Sequence, residues 1–312
     1  MLEEYGIKMV TIDLPFRLNH VNCFIGEGEH GIQVIDAGLH NEQTVKRWEK
    51  ELAGKTVTDI LVTHYHPDHF GYAGALQQKT GAQVSMSQID AKAGLFAWQD
   101  DFLKDLSDNY QLAGISEDHA NNMITNTKEF VPLVTPYPEI NHYFEEGERL
   151  PIGKYEYEVI HTPGHSDGLV TFYNKEKNIL LSTDHILPKI TPNISYWFHG
   201  DPNPLGNYLK SLNKIKQLDV DLVVPSHGKS FYGGNERIDE IIAHHEERLE
   251  TLLEGIRGGS TVYEASEALF QKKLTIHESR FAIGETLAHL EYLRLEDKCV
   301  RELVDGCYRY SS

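Results

Sequence analysis

The sequence predicts an α/β fold built in layers, with a helical insertion and a small helical tail. Short apolar strands alternate with amphipathic helices up to about residue 90, and strands return from His142 to Gly228. The stretch from about 90 to 138 breaks that rhythm in favour of helices, and past Gly233-Gly234 the pattern is helical almost to the end. The chain has 312 residues, which at roughly 150 residues per domain predicts two domains, 1–234 and 235–312. It is 40% hydrophobic and 24% charged, enough apolar material for a core and too much for wholesale disorder.

Tyr5–Asp13, Val21–Gly26 and Ile32–Asp36 are apolar or β-branched runs bounded by Gly, Asn and Asp, which reads as three strands. Asp36-Ala37-Gly38 turns the chain towards a helix over Asn41–Leu52, with Val45, Trp48 and Leu52 on one face. Thr58–Thr63 is a strand that runs directly into His64; Tyr72–Thr80 reads as helix and Ala82–Met86 as strand. In the insertion, Leu95, Phe96, Trp98, Phe102 and Leu106 give an imperfect apolar stripe, and Ser116 is a good N-cap for a further helix. Pro132, Pro136 and Pro138 close it. Two readings fit this segment, ordinary surface helices or a cap over an active site. Strands follow at Glu156–Ile160, Leu169–Tyr173, Ile179–Ser182 and Leu222–Pro225, with a helix over Leu205–Gln217. Ile238, Ile241, Ile242, Leu249, Leu252, Leu253 and Ile256 form one face of a long helix that Gly258-Gly259 stops. Helices over Thr261–Phe270 and about Phe281–Leu295 come next. Asp305-Gly306 between Val300–Val304 and Cys307–Tyr310 is a hairpin signal. The tail therefore outlines a winged-helix-like domain.

Charge limits the partners. The net charge is -18 and the pI about 5.3, which argues against gripping nucleic acid or an anionic membrane through the overall field. Residues 235–312 hold 10 Lys and Arg against 16 Asp and Glu. The candidate recognition helix Phe281–Leu295 carries Glu285 and Glu291 against Arg294, and Glu302 is placed to pair with Arg309 across the hairpin. A phosphate-binding helix needs a basic exposed face, so a packing or pocket role for the tail is favoured over nucleic-acid binding. No apolar run approaches the ~20 residues of a membrane span. Met1-Leu2-Glu3-Glu4 lacks the order of a signal peptide, and Cys23, Cys299 and Cys307 have no CxxC spacing. These features predict a reducing, cytoplasmic setting without a membrane partner.

The chemistry sits in Thr63-His64-Tyr65-His66-Pro67-Asp68-His69. Three imidazoles and a carboxylate this close repel one another when protonated and gain little from burial, whereas a divalent cation satisfies them together. Pro67 is taken to exclude a helix as their carrier, leaving a loop at a strand end. Three later strand ends each bring one more candidate: His165 in Thr162-Pro163-Gly164-His165-Ser166, Asp184 in Ser182-Thr183-Asp184, and His227 in Pro225-Ser226-His227-Gly228. Strand ends converging on one edge are where α/β folds place their sites.

In this order the motifs HxHxDH, TPGHS, a strand-end Asp and PSHG resemble the metallo-β-lactamase superfamily in its glyoxalase II-like branch, over residues 1–234. Asp36 matches that family's first strand-end aspartate. The resemblance implies an αββα four-layer sandwich with two divalent metal ions at one edge. It implies His64, His66 and His165 at the first ion, Asp68, His69 and His227 at the second, and Asp184 bridging, with a hydroxide shared between the ions. Nitrogen and oxygen ligands suit zinc first, with manganese or iron also able to bind. Asp68 is implied as the catalytic residue that orients the hydroxide. The cysteine ligand of some antibiotic-hydrolysing members is absent, which argues against β-lactamase activity.

The expected activity is hydrolysis of a small-molecule thioester, lactone or carboxylic ester, with a metal-dependent nuclease acting on RNA as the alternative and a degenerate binding protein as a third class without support. Tyr196 and His199, in the aromatic loop Thr191–His199, are candidates to meet substrate. Tyr65 is read as structural and pointing away from the ions, His185 as pointing elsewhere, and His244-His245 as a solvated helix face. His20, His30, His40 and His119 carry no assignment.

Overall fold

The computed structural model describes residues 2–312. The first half runs β1 (Ile7–Asp13), β2 (His20–Glu27), β3 (Ile32–Ile35), α1 (Glu42–Glu51), β4 (Val57–Leu61), α2 (Pro67–Phe70), α3 (Ala73–Thr80) and β5 (Gln83–Met86). The insertion then supplies α4 (Gln88–Phe96), α5 (Asp100–Leu112), α6 (Glu117–Lys128) and α7 (Val131–Val134) before β6 (His142–Tyr143). The second half contains β7 (Arg149–Ile152), β8 (Tyr155–His161), β9 (Val170–Asn174), β10 (Ile179–Thr183), α8 (Pro204–Lys216), β11 (Leu222–Pro225) and β12 (Phe231–Tyr232). The tail comprises α9 (Gly234–Gly255), β13 (Ser260–Thr261), α10 (Val262–Phe270), α11 (Ile276–Leu295), β14 (Val300–Val304) and β15 (Cys307–Ser311).

Two six-stranded mixed sheets, ordered β1-β2-β3-β4-β5-β6 and β12-β11-β10-β9-β8-β7, carry the fold. Ile7, Phe24, Ile35 and Leu61 of the first sheet meet Tyr157, Phe172, Leu181 and Val224 of the second in one core between them. Trp48, Leu76 and Val84 mark a second core outside the first sheet. Tyr208, Leu212, Ile238 and Leu290 mark a third outside the second sheet. Helix, sheet, sheet and helix are thus the four layers that the family resemblance implies. Covered on both faces, β9, β10 and β11 are buried at every position, and this explains their continuous apolar runs.

The tail packs three helices against a small antiparallel sheet ordered β13-β15-β14. Asp305 and Gly306, both at positive φ, make its hairpin turn. Its apolar residues share one core with α5, α6 and α8. The Ser116 hydroxyl caps α6 as expected. Among the described residues no helix is long and apolar enough to cross a membrane.

Several expectations need correction. Pro67 begins a helix instead of forbidding one: it occupies the first turn of α2, where a missing N–H costs nothing, so Asp68 and His69 ride on that helix. α11 starts five residues before Phe281, because Thr275 and Glu278 form a reciprocal capping box. It has no exposed recognition face, since residues 282–291 are all buried. Glu302 stands opposite Arg309 in register, yet the Arg309 guanidinium reaches Glu264 at 3.7 Å instead. His245 is not solvated: it is fully buried, with Nδ1 3.0 Å from His289 Nε2, while His244 accepts from Arg248 at 2.8 Å.

Candidate metal centre

The predicted ligands follow the C-terminal ends of four strands, β4, β8, β10 and β11, and these meet on one edge with the end of β3, which carries Asp36. Asp36 follows β3 with φ 57°. Its carboxylate accepts from the Thr63 amide at 2.9 Å, the Thr63 hydroxyl at 2.9 Å and His69 Nδ1 at 2.8 Å. His69 therefore turns Nε2 away from Asp36. The same device recurs. His165 Nδ1 donates to the Asn193 carbonyl at 2.8 Å, His227 Nδ1 to the His20 carbonyl at 2.6 Å, and His64 Nδ1 lies 3.0 Å from the Thr63 hydroxyl. Such outer partners fix which nitrogen a histidine offers. Gly164, at φ 141°, allows the His165 loop to touch α8; a Cβ there would stand 2.4 Å from Tyr208 Cβ.

The inward atoms form three overlapping groups, each with its donor atoms within 4.8 Å: His64, His66 and His165; His64, His69 and Asp184; Asp68, His69 and His227. Asp184 Oδ2 stands 3.6 Å from His69 Nε2, 3.4 Å from His165 Nε2 and 3.3 Å from His227 Nε2. Asp68 Oδ2 is 3.5 Å from His227 Nε2.

A divalent cation fits this donor set. His64, His66, His69 and His227 Nε2 and Asp184 Oδ1 are buried without a hydrogen-bond partner, an arrangement that proteins otherwise avoid. Burial and the surrounding imidazoles hold His64 and His66 well below the ordinary histidine pKa, so both present neutral lone pairs. His69 goes the other way. Burial pushes it down, but Asp184, Asp36 and Asp68 together outweigh that and raise it.

Beside the cluster lies a cavity of about 510 Å³. His66, Asp68, His165, Asp184 and His227 close its polar end. Its walls are Leu14, Phe16, Trp98, Phe102, Phe130 and Trp197 among others, so the insertion does cover the site.

The described geometry sits on a chain whose residues 17–227 match the metallo-beta-lactamase superfamily. The chain belongs to that superfamily. Residues 249–312 match the metallo-beta-lactamase-like C-terminal domain. A metallo-beta-lactamase family protein of Thermus thermophilus superposes with a TM-score of 0.86 at 31% identity, over 98% of both chains. The probable metallo-hydrolase YqjP of Bacillus subtilis is 22% identical over 305 residues, 92% of each chain. Hydroxyacylglutathione hydrolase GloC of Haemophilus influenzae is 25% identical over 231 residues, 72% of this chain and 93% of that one.

Within this superfamily frame, the other singled-out residues sort by place. Tyr65 is buried, as a structural role expects, and it also forms part of the cavity wall, its ring 5.0 Å from that of His66. His185 packs against Tyr208 at 5.3 Å. Tyr196 and His199 both line the cavity. Burial lowers His199 to about 4, so it is neutral there, and its Nδ1 has no partner. Charged groups of the tail, Glu291 and Arg301, are the electrostatic neighbours of Tyr196.

Sequence reasoning missed the tail's hold on the centre. Asn193, whose carbonyl orients His165, donates its amide to Glu285 at 3.1 Å, and Glu285 pairs with Arg248 at 2.8 Å. It also missed His20, whose carbonyl orients His227 and whose Nε2 accepts from the Gly228 amide at 2.9 Å. Next to Glu285, the Gly284 carbonyl accepts from the Tyr196 amide at 2.9 Å. A Cβ at Gly284 would stand 2.9 Å from Ser195 Cβ. Gly284→Ala is expected to cost roughly 1–3 kcal/mol by overpacking, read as a lowered urea midpoint at unchanged slope.

Proposed function

We propose that this superfamily member is a metal-dependent hydrolase of a small-molecule thioester, lactone or carboxylic ester. The observation that carries the reading is one cavity with a histidine–carboxylate cluster at one end and apolar, aromatic walls elsewhere. That shape suits an acyl or aryl body with its scissile carbonyl at the cluster. We assign His64, His66 and His165 to one cation, Asp68, His69 and His227 to a second, and Asp184 to both. Zinc suits the nitrogen and oxygen donors best. Divalent cations held there supply Lewis-acid polarisation of a carbonyl and acidify water enough for hydroxide at neutral pH.

The chain's own residues do the positioning. Asp68, 19% exposed at the cavity floor, accepts a proton from attacking water and holds its direction. Phe102, Trp98 and Phe130 exclude bulk water from the acyl end. Residues 1–234 act as the catalytic domain, and residues 235–312 act as its rear wall through Gly284 and through Glu285, which holds Asn193. The hydrolases named YqjP and GloC among the relatives support the class. The apolar cavity and net charge of -18 favour a small substrate over RNA.

The test is a screen of thioesters, lactones and aryl esters with zinc-, manganese- and iron-loaded protein, RNA serving as control. Turnover of at least one ester class, abolished by chelator and restored by metal, is expected. Cleavage of RNA without any ester turnover would overturn the reading.

A further inference from the structure

The apolar wall of the cavity contains one buried charge that the hydrolysis scheme does not use. Arg280 on α11 is 9% exposed and lines the same cavity as Asp68 and His165. Among the described residues no carboxylate pairs with it. Its Nη1 donates to Asn126 Oδ1 at 3.2 Å, and its Nε has no partner at all. The Phe130 and Phe281 rings flank the guanidinium at 5.7 and 6.0 Å. Tyr110, which hydrogen-bonds to it, and Tyr65 and His277 are its other polar neighbours, and none of them carries a negative charge at neutral pH. Carboxylates are otherwise abundant in this chain, with 47 Asp and Glu, so the lack of one here is notable. The nearest acid by hydrogen bond is Glu129, held at 2.9 Å by the Asn126 amide and so one residue removed from Arg280.

Arginines this buried are ordinarily paired, because an unpaired charge in an apolar wall is costly to desolvate. The flanking rings and the asparagine position the guanidinium but do not neutralise it. A planar guanidinium that lines the cavity with its Nε unpartnered has donor capacity left for a carboxylate. The other arginine on the wall, Arg17, is different: its side chain is 80% exposed and it already meets Glu278 at 3.6 Å.

We propose that Arg280 is the anion-recognising end of this pocket, and that the substrate is an ester or thioester whose apolar body carries one carboxylate away from the scissile bond. The proposal rests on the hydrolase reading for the scissile group, but the anion site stands by itself. The metal cluster takes the carbonyl, the aromatic wall takes the body, and Arg280 selects against neutral analogues.

The test uses the 312-residue protein free of metal, so that cations do not bind the carboxylate. The probes are 4-phenylbutyrate and its primary amide, titrated by calorimetry and by the fluorescence of Trp98 and Trp197, which line the cavity. The carboxylate is expected to bind about tenfold more tightly than the amide, the scale of one charge-assisted pair. Arg280→Met should remove that preference while leaving amide binding in place, Arg280→Lys should keep part of it, and Arg17→Met should keep all of it. Equal binding of acid and amide by the unaltered protein would overturn the proposal even if Arg280→Met fails to fold. So would a preference that survives in Arg280→Met. Failure of the ester screen leaves this comparison intact, and a lost preference leaves turnover of neutral esters intact, so the two readings fail separately.

Discussion

Replacing His64 by Ala should strip the centre of metal and reduce turnover by roughly 10³-fold or more, the scale on which metal-assisted activation of water operates. His64 belongs to two of the three donor groups, with His66 and His165 and with His69 and Asp184. Its loss therefore removes one of the three imidazoles assigned to the first ion and a neighbour of His69 and Asp184 at the second, whereas His165 and His227 each belong to a single group. The side chain is fully buried, and its Nε2 has no protein partner, so alanine removes no hydrogen bond that holds the fold except the contact with Thr63. The metal-free variant should accordingly keep its circular dichroism and most of its denaturant resistance. Elemental analysis of the purified protein and ester turnover are the readouts. A His64→Ala protein that binds two ions per chain, or that turns over at the normal rate without them, would remove the assigned centre.

How much of this was legible beforehand depends on the range over which each feature is encoded. Strand and helix identity came from periods of two and 3.6 residues, which are local. The candidate ligands were legible for the same reason: they sit in four short motifs, each at the end of a strand. The partners that aim them are not local. His227 is oriented by His20, 207 positions away, and Asn193 is tied to Glu285 across 92. Neither residue belongs to a motif, so nothing in the order of residues marks it. His245 misled for a related reason. Its flanking glutamates predict a wet helix face, but α11 covers that face and supplies His289. Pro67 misled through its position rather than its chemistry, since proline breaks a helix interior and suits a first turn. Arg280 carries no sequence signal as a pocket residue; its meaning appears only when α5, α6 and α11 are seen to share one cavity.

Asp90→Asn is expected to lower metal affinity about 10–100-fold, the usual effect of losing a group that orients ligands, while the stability of the metal-free variant relative to the parent rises with pH. Asp90 is fully buried and clamps the two loops that carry His64, His66 and His165. Its Oδ2 accepts from the Tyr65 amide at 3.1 Å and the Ser166 hydroxyl at 2.6 Å, and its Oδ1 from the Gly168 amide at 2.6 Å. An asparagine of the same shape must turn its NH₂ towards one of these donors, so one loop loses its anchor. Burial raises the Asp90 carboxyl to about 6, and the three donors only partly offset it. A carboxylate whose pKa is higher in the folded than in the unfolded chain takes up a proton on folding between the two values. Its contribution to stability is therefore lost as pH rises from about 4 to about 6 and is flat above, a loss of about 3 kcal/mol from the shift. Asparagine does not titrate, so the stability of the variant relative to the parent should climb by about that amount between pH 4 and pH 7. Urea unfolding of both metal-free proteins at several pH values measures the difference directly. A difference independent of pH, or unaltered zinc affinity in the variant, would mean that Asp90 is neither the strained clamp nor the group that sets the ligand loops.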